Sequence, residues 1–245
     1  MDSKKALIDK LQKDILLWQG YKAQPAGKAD TIGLGQIESA FPNGVFPKRA
    51  IHEFITFVPE QSAASDGFIA GLLSQLMKEG AACVWVSTSR KLFPSSLSAF
   101  NVPTERIIFM DVAKEKDVLW IMEEALKCEG LAAVVAEIND LSLTESRRLQ
   151  LAVENSGVTG FILRKDAGKK ASSIVTARWK ITPLPSENED NLPGIGFPRW
   201  RVELLKVRNG SPGWWTLEWE ADHFKEVVTE KVSTRIFGQE QRQIG

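Results

Sequence analysis

The sequence predicts an α/β fold: a central, mainly parallel β-sheet flanked by helices, with antiparallel strands at its C-terminal side and a separate N-terminal helix. Three observations carry this. Short apolar runs such as Ala82–Ser87 and Leu131–Glu137 have the length and composition of strands buried on both faces. Periodic segments of helical length lie between them, so strand and helix alternate as in βαβ units. After residue 170 the runs alternate with period two and are divided by turn residues, the pattern of antiparallel strands.

Taken in order, residues 3 to 19 predict one helix, because Leu7, Ile8, Leu11, Ile15 and Trp18 share a stripe while Lys4, Lys5, Asp9, Lys10 and Lys13 lie off it. Residues 20–28, with Gly20, Pro25 and Gly27, read as a linker. A short helix or turn covers 32–41 and stops at Pro42-Asn43-Gly44. Residues 51–57 are rich in β-formers and predict a strand; 66–79 are periodic and predict a helix. Strands follow at 82–87, 106–111, 131–137 and 159–164, separated by a short helix at 92–100 and helices at 114–128 and 143–155, the last capped by Ser142 or Thr144. The later strands fall at 175–181, 200–207 and 215–219. The division is therefore an N-terminal helix and linker (1–28), a core (29–224) and a polar tail (225–245).

Composition bounds the function. The chain has 245 residues, 31 basic and 31 acidic, so its formal net charge is zero, which excludes a histone-like or tail-driven nucleic-acid binder. No apolar run has the roughly 20 residues of a membrane span, and the N-terminus lacks a signal-peptide core. Cys83 and Cys128 stand apart without metal spacing and read as reduced residues of a cytoplasmic protein. No metal or other cofactor is expected from such a pattern.

The segment after the first strand, Val58 to Gly67, has the length and place of a phosphate-binding loop. Such a loop needs glycines for backbone contact with phosphate, a Lys for its charge and a Ser or Thr for magnesium. Here Pro59, Glu60, Ala63, Ala64 and Ser65 form a degenerate version, with Ala64 where the Lys falls and Asp66 adding negative charge. Ser65 is either a magnesium ligand or, the favoured reading, a helix N-cap. Glu137, at the end of the most apolar strand, sits where open parallel sheets bind ligands, and reads as a metal-holding carboxylate or a loop cap. His52 and His223 have no partners at catalytic or metal spacing, and His52 reads as structural. Lys165, Lys169, Lys170 and Arg178 lie in the densest basic region, a candidate phosphate contact or a solvated loop. Trp214 and Trp215 point to opposite faces if both lie in a strand, which makes Trp214 a candidate partner contact.

Several stretches resemble a known family. Ile32-Gly33-Leu34-Gly35, Phe41 to Pro47 and Ile51-His52-Glu53 are similar to the opening of a RecA-like core. Thr176 to Ser186, and Arg199 to Gly210 continuing through Pro212-Gly213 to Trp219, resemble the C-terminal strands of ImuA, the RecA-related accessory protein of bacterial mutagenic repair. The resemblance spans about residues 30–222. It implies a RecA-like core acting with an ImuB-type polymerase relative, an error-prone polymerase and RecA in translesion synthesis after DNA damage. The departures imply a non-catalytic protein. Ala63 and Ala64 stand where RecA has Gly and Lys, Glu137 matches the magnesium-site Asp, and Ser87-Thr88-Ser89-Arg90 stands where a catalytic Glu is placed. The regions 138–143 and 165–173 are short for DNA-gripping loops, so DNA contact is expected to be weak or indirect. By the same resemblance, Leu7, Leu11, Ile15 and Trp18 are expected to dock on a RecA-like core, in RecA or in another copy of this chain, unless the helix folds onto its own core. Two alternatives remain: an atypical ATPase using Ser65 and Glu137, and a SulA-like inhibitor acting as a decoy subunit.

Overall fold

The computed structural model describes residues 31–165, 173–186 and 196–227. The N-terminal stripe Leu7, Leu11, Ile15 and Trp18, together with Lys169 and Lys170, lies outside them.

Nine strands form one sheet: β1 (Ile51–Thr56), β2 (Ala82–Ser87), β3 (Ile107–Asp111), β4 (Leu131–Glu137), β5 (Thr159–Lys165), β6 (Ala177–Leu184), β7 (Arg199–Val207), β8 (Gly213–Glu220) and β9 (His223–Glu226). Their order is β3-β2-β4-β5-β1-β6-β7-β8-β9. The strands from β3 to β6 in that order are parallel, and β6 to β9 pair antiparallel. The predicted α/β architecture is thus observed. The four-residue β9 is an element that the sequence reading assigns partly to the tail.

Among the described residues, three α-helices accompany the sheet: α1 (Pro59–Leu76), α2 (Glu115–Leu126) and α3 (Leu143–Ser156). Short 3-10 turns occupy Gly35–Ala40 and Pro94–Phe100. Ser142 caps α3: its hydroxyl accepts from the Glu145 N–H, and the Glu145 carboxylate accepts from the Ser142 N–H at 2.8 Å. The Ser142 hydroxyl, which also donates to the Glu145 carboxylate at 2.7 Å, and next the Ser142 N–H hold that carboxyl below the usual carboxylate range. Gly157 ends the helix at φ 80°, a left-handed position that suits glycine.

The two sheet faces bury different clusters. On one, α1 packs with Phe54, Trp85, Phe161, Trp179, Trp200 and Phe224. On the other, α2 and α3 cover Ile51, Val84, Val134 and Ile162. The strands beyond β1 fold over α1, and Phe68 meets Trp179, Trp200 and Phe224 at 5.0–6.0 Å between ring centres. Gly71 is needed there, since a Cβ would stand 2.5 Å from the Phe224 ring. Most of the tryptophans that the sequence concentrates in the late strands therefore serve this aromatic core.

Candidate functional site

The carboxyl ends of β1, β2, β4 and β5 meet the N-terminus of α1, the position at which an open parallel sheet binds ligands. The structure corrects the expected loop. Helix α1 starts at Pro59, so Pro59, Glu60, Ala63, Ala64 and Ser65 are its first two turns rather than a cradle. Proline at the first helical position is pre-set for helix, and Glu60 complements the dipole. The Gln61 side chain accepts from the Phe57 N–H at 2.9 Å and closes the turn between β1 and α1. Ser65 is neither N-cap nor exposed: it is fully buried in the helix and its hydroxyl donates to the Gln61 carbonyl at 2.8 Å.

An ion-paired cluster occupies the same edge. Lys165, at the end of β5, reaches Glu137, at the end of β4, with Nζ 3.2 Å from Oε2. Ser89 donates to the same oxygen at 2.7 Å. Burial, and next the Glu137 charge, push the Asp66 carboxyl up to about 7, against the opposing pull of Lys165. Beside it, Arg90 pairs with Asp111 at 2.8 Å, and Ser87 donates to Asp111 at 3.3 Å. A RecA-like core, which the sequence resembles, implies a nucleotide and magnesium at such an edge, and these residues do not fit them. No glycine lies between β1 and the end of the second turn of α1, Ser65 is buried, and Glu137 and Asp66 bring carboxyl groups to the space. Among the described residues no group of three His, Cys, Asp or Glu could hold a metal ion.

A second charged network lies within the fold. Glu53, in the middle of β1, is completely buried. Its carboxylate accepts from Arg164 Nη1 at 2.9 Å, from Ser173 Oγ at 3.0 Å and from Arg178 Nε. Arg164 also donates to the Asn139 carbonyl at 2.9 Å, and Lys206 to the Ser173 carbonyl at 3.0 Å. Burial lowers the Lys206 amine, with Arg178 adding to the effect. A buried carboxylate needs such partners because an isolated charge there is costly. The network corrects the reading of Arg178 as a phosphate contact: its guanidinium is turned inward onto Glu53. Of the four basic candidates, Lys165 is described and is committed to Glu137. The sequence reading finds neither network, because both join strands far apart in the chain.

His52 is structural, as expected. It stacks on Phe46 at 4.5 Å, its Nε2 lies 2.8 Å from the Pro47 carbonyl, and its Nδ1 accepts from Trp179 Nε1 at 3.2 Å. Burial lowers its pKa to about 4, so the ring is neutral near pH 7. Trp214 lies on the sheet face away from α1, 53% exposed, with the Arg201 guanidinium 4.6 Å over its ring. Trp215 points the other way and packs against the α1 cluster.

No family model matches the chain. It is 37% identical over 206 residues to Protein ImuA of two strains of Caulobacter vibrioides, covering 79% of this chain and 84% of the relative. A cell division inhibitor, SulA of Edwardsiella piscicida, is 26% identical over 102 residues, which is 42% of this chain and 61% of that protein. Among solved structures, the RadB recombinase superposes with a TM-score of 0.56 at 14% identity, over 81% of this chain and 99% of RadB. That likeness shows the fold: a RecA-like core.

Proposed function

We propose, from the premise that this chain belongs to the ImuA family, that it is a non-catalytic RecA-like adaptor of SOS-linked translesion DNA synthesis. In this reading it works in the cytoplasm, in response to DNA damage. It couples an ImuB-type polymerase relative and an error-prone polymerase to damaged DNA or to RecA. The observation that carries the reading is the start of α1 at Pro59, with only Phe57 and Val58 between it and β1, where a nucleotide-hydrolysing relative would need a glycine-rich loop. The Lys165–Glu137 pair supports it, because the charges at this edge satisfy one another without a ligand. Phosphoryl transfer relies on fixed positive charge and magnesium around the transferring group; here the two cations of this edge, Lys165 and Arg90, are paired with Glu137 and Asp111. DNA contact would be weak and salt-sensitive, since the chain is neutral overall and Arg178 is engaged inside.

The atypical-ATPase alternative loses its proposed ligand, because Ser65 is buried and bonded to its own helix. The inhibitor alternative rests on a relative that matches less than half of this chain. The test is ATP turnover by the purified full chain with magnesium, with and without single-stranded DNA. The reading expects none above background. Turnover that is abolished by Ser65→Ala would refute it.

A further inference from the structure

Two strands end in a carboxylate at this edge, β3 in Asp111 and β4 in Glu137, and the chain itself supplies a cation to each, Arg90 and Lys165. The two pairs differ in their contact with water. The Arg90 side chain is 75% exposed, and an ion pair so open to solvent is held weakly. Glu137 is 11% exposed, so its attraction to Lys165 is screened much less.

Strand register directs Lys165 to this point. Parallel pairing sets Glu137 opposite Leu163, whose side chain belongs to the core on the α1 side. Lys165 lies two residues further along β5 and projects to the same side. Asp66, in the second turn of α1, comes within reach of both: its carboxyl feels the Glu137 charge and, with opposite sign, the Lys165 charge. Ser89, in the segment after β2, donates to the same Glu137 oxygen that Lys165 reaches. The ammonium thus shares its surroundings with two carboxyl groups and a hydroxyl, brought together by α1, β4 and the segment after β2.

Oxygen groups of this kind are what a hard divalent cation takes as ligands. With Lys165 in place, one of the two negative charges is already cancelled. A divalent ion would have to displace an ammonium that the chain holds there, or sit beside it against their mutual repulsion. The misfit between this edge and the magnesium that a RecA-like core implies therefore has a specific cause. We propose that the Lys165 ammonium is a built-in cation, which takes the place of a divalent metal ion beside Glu137 and Asp66 and keeps this edge closed to metal. The inference rests on the reading of the protein as an adaptor that works without nucleotide, and it adds how the strand ends hold their charge without a ligand.

Manganese binding to the full chain tests this, followed by the loss of the electron paramagnetic resonance signal of free Mn2+. The pH is 8, above the Asp66 value of about 7, so that this carboxyl is charged. Lys165→Met is expected to bind Mn2+ at least about tenfold more tightly than the intact chain. Lys165→Arg keeps the charge and is expected to bind as weakly as the intact chain does. Adding Glu137→Gln to Lys165→Met should abolish the gain, which places the ion at this edge. Thermal unfolding checks that each variant is folded, and Lys165→Gln replaces Lys165→Met if that variant is not. A neutral variant that binds no more tightly than the intact chain overturns the proposal. So does a gain that survives Glu137→Gln, or an equal gain in Lys165→Arg. The two readings fail separately: ATP turnover by the intact chain refutes the non-catalytic adaptor, whereas the manganese measurements bear on Lys165 alone.

Discussion

Replacing Asp66 by Asn should stabilise the protein at alkaline pH and leave it nearly unchanged at acid pH. The Asp66 carboxyl is raised from 3.8 to about 7, first by burial and then by Glu137. In the unfolded chain the group ionises near 3.8; in the folded protein it stays protonated until about 7. Between those values the unfolded state binds fewer protons, so folding stability falls as pH rises and levels off above about 7. At about 1.4 kcal/mol per pH unit the full displacement corresponds to about 4 kcal/mol. The side chain keeps some contact with water, so roughly half of that, about 2 kcal/mol, is the expected effect. Asn keeps the shape and removes the titration. Urea unfolding of both proteins at pH 4.5, 6 and 8 measures the difference. Asp66→Asn should gain little at the lowest pH and about 2 kcal/mol at the highest. A variant that is destabilised at pH 8, or a difference that does not change with pH, would refute the account of this edge as a crowded acidic site.

Further outcomes follow from other parts of the core. His52 is lowered from 6.5 to about 4, so the unfolded state takes up its proton first as pH falls; in the Asp66→Asn background, stability should drop by about 3 kcal/mol between pH 6.5 and 4, read by urea midpoints. Gly71→Ala places a methyl against Phe224 and Trp219 and should cost about 1–3 kcal/mol in chemical denaturation. Ser142→Ala removes one half of the α3 capping box and should cost about 1 kcal/mol. Trp214→Ala, at an exposed position, should change thermal stability by less than about 1 kcal/mol while weakening any partner that uses this sheet face.

The strands β1 to β5 were legible because continuous apolar runs such as Val134 and Val135 admit few other homes than a buried sheet. Helix α1 was read seven residues short. Pro59 and Glu60 are a helix start by local chemistry, but the position after the first strand favoured a phosphate-loop reading of the same residues. Strand β9 has only four residues, His223 to Glu226, and one inward side chain, Phe224, too little for a period to show. The charged networks were beyond reach for a different reason. Glu53 is separated by more than a hundred residues from Arg164, Ser173 and Arg178, and only the pairing of β1 with both β5 and β6 brings them together. The same holds for Lys165 and Glu137, which parallel pairing of β4 and β5 places at one edge. The lysine at this edge comes from the end of β5 and not from the loop that follows β1.

The central claim is an adaptor that works without nucleotide. Its most direct test is the affinity of the full chain for an ImuB-type polymerase relative, measured by calorimetry with and without magnesium and ATP. The account predicts a stable complex whose dissociation constant is the same, within about twofold, under both conditions. No complex, or one that forms only with ATP, would contradict it.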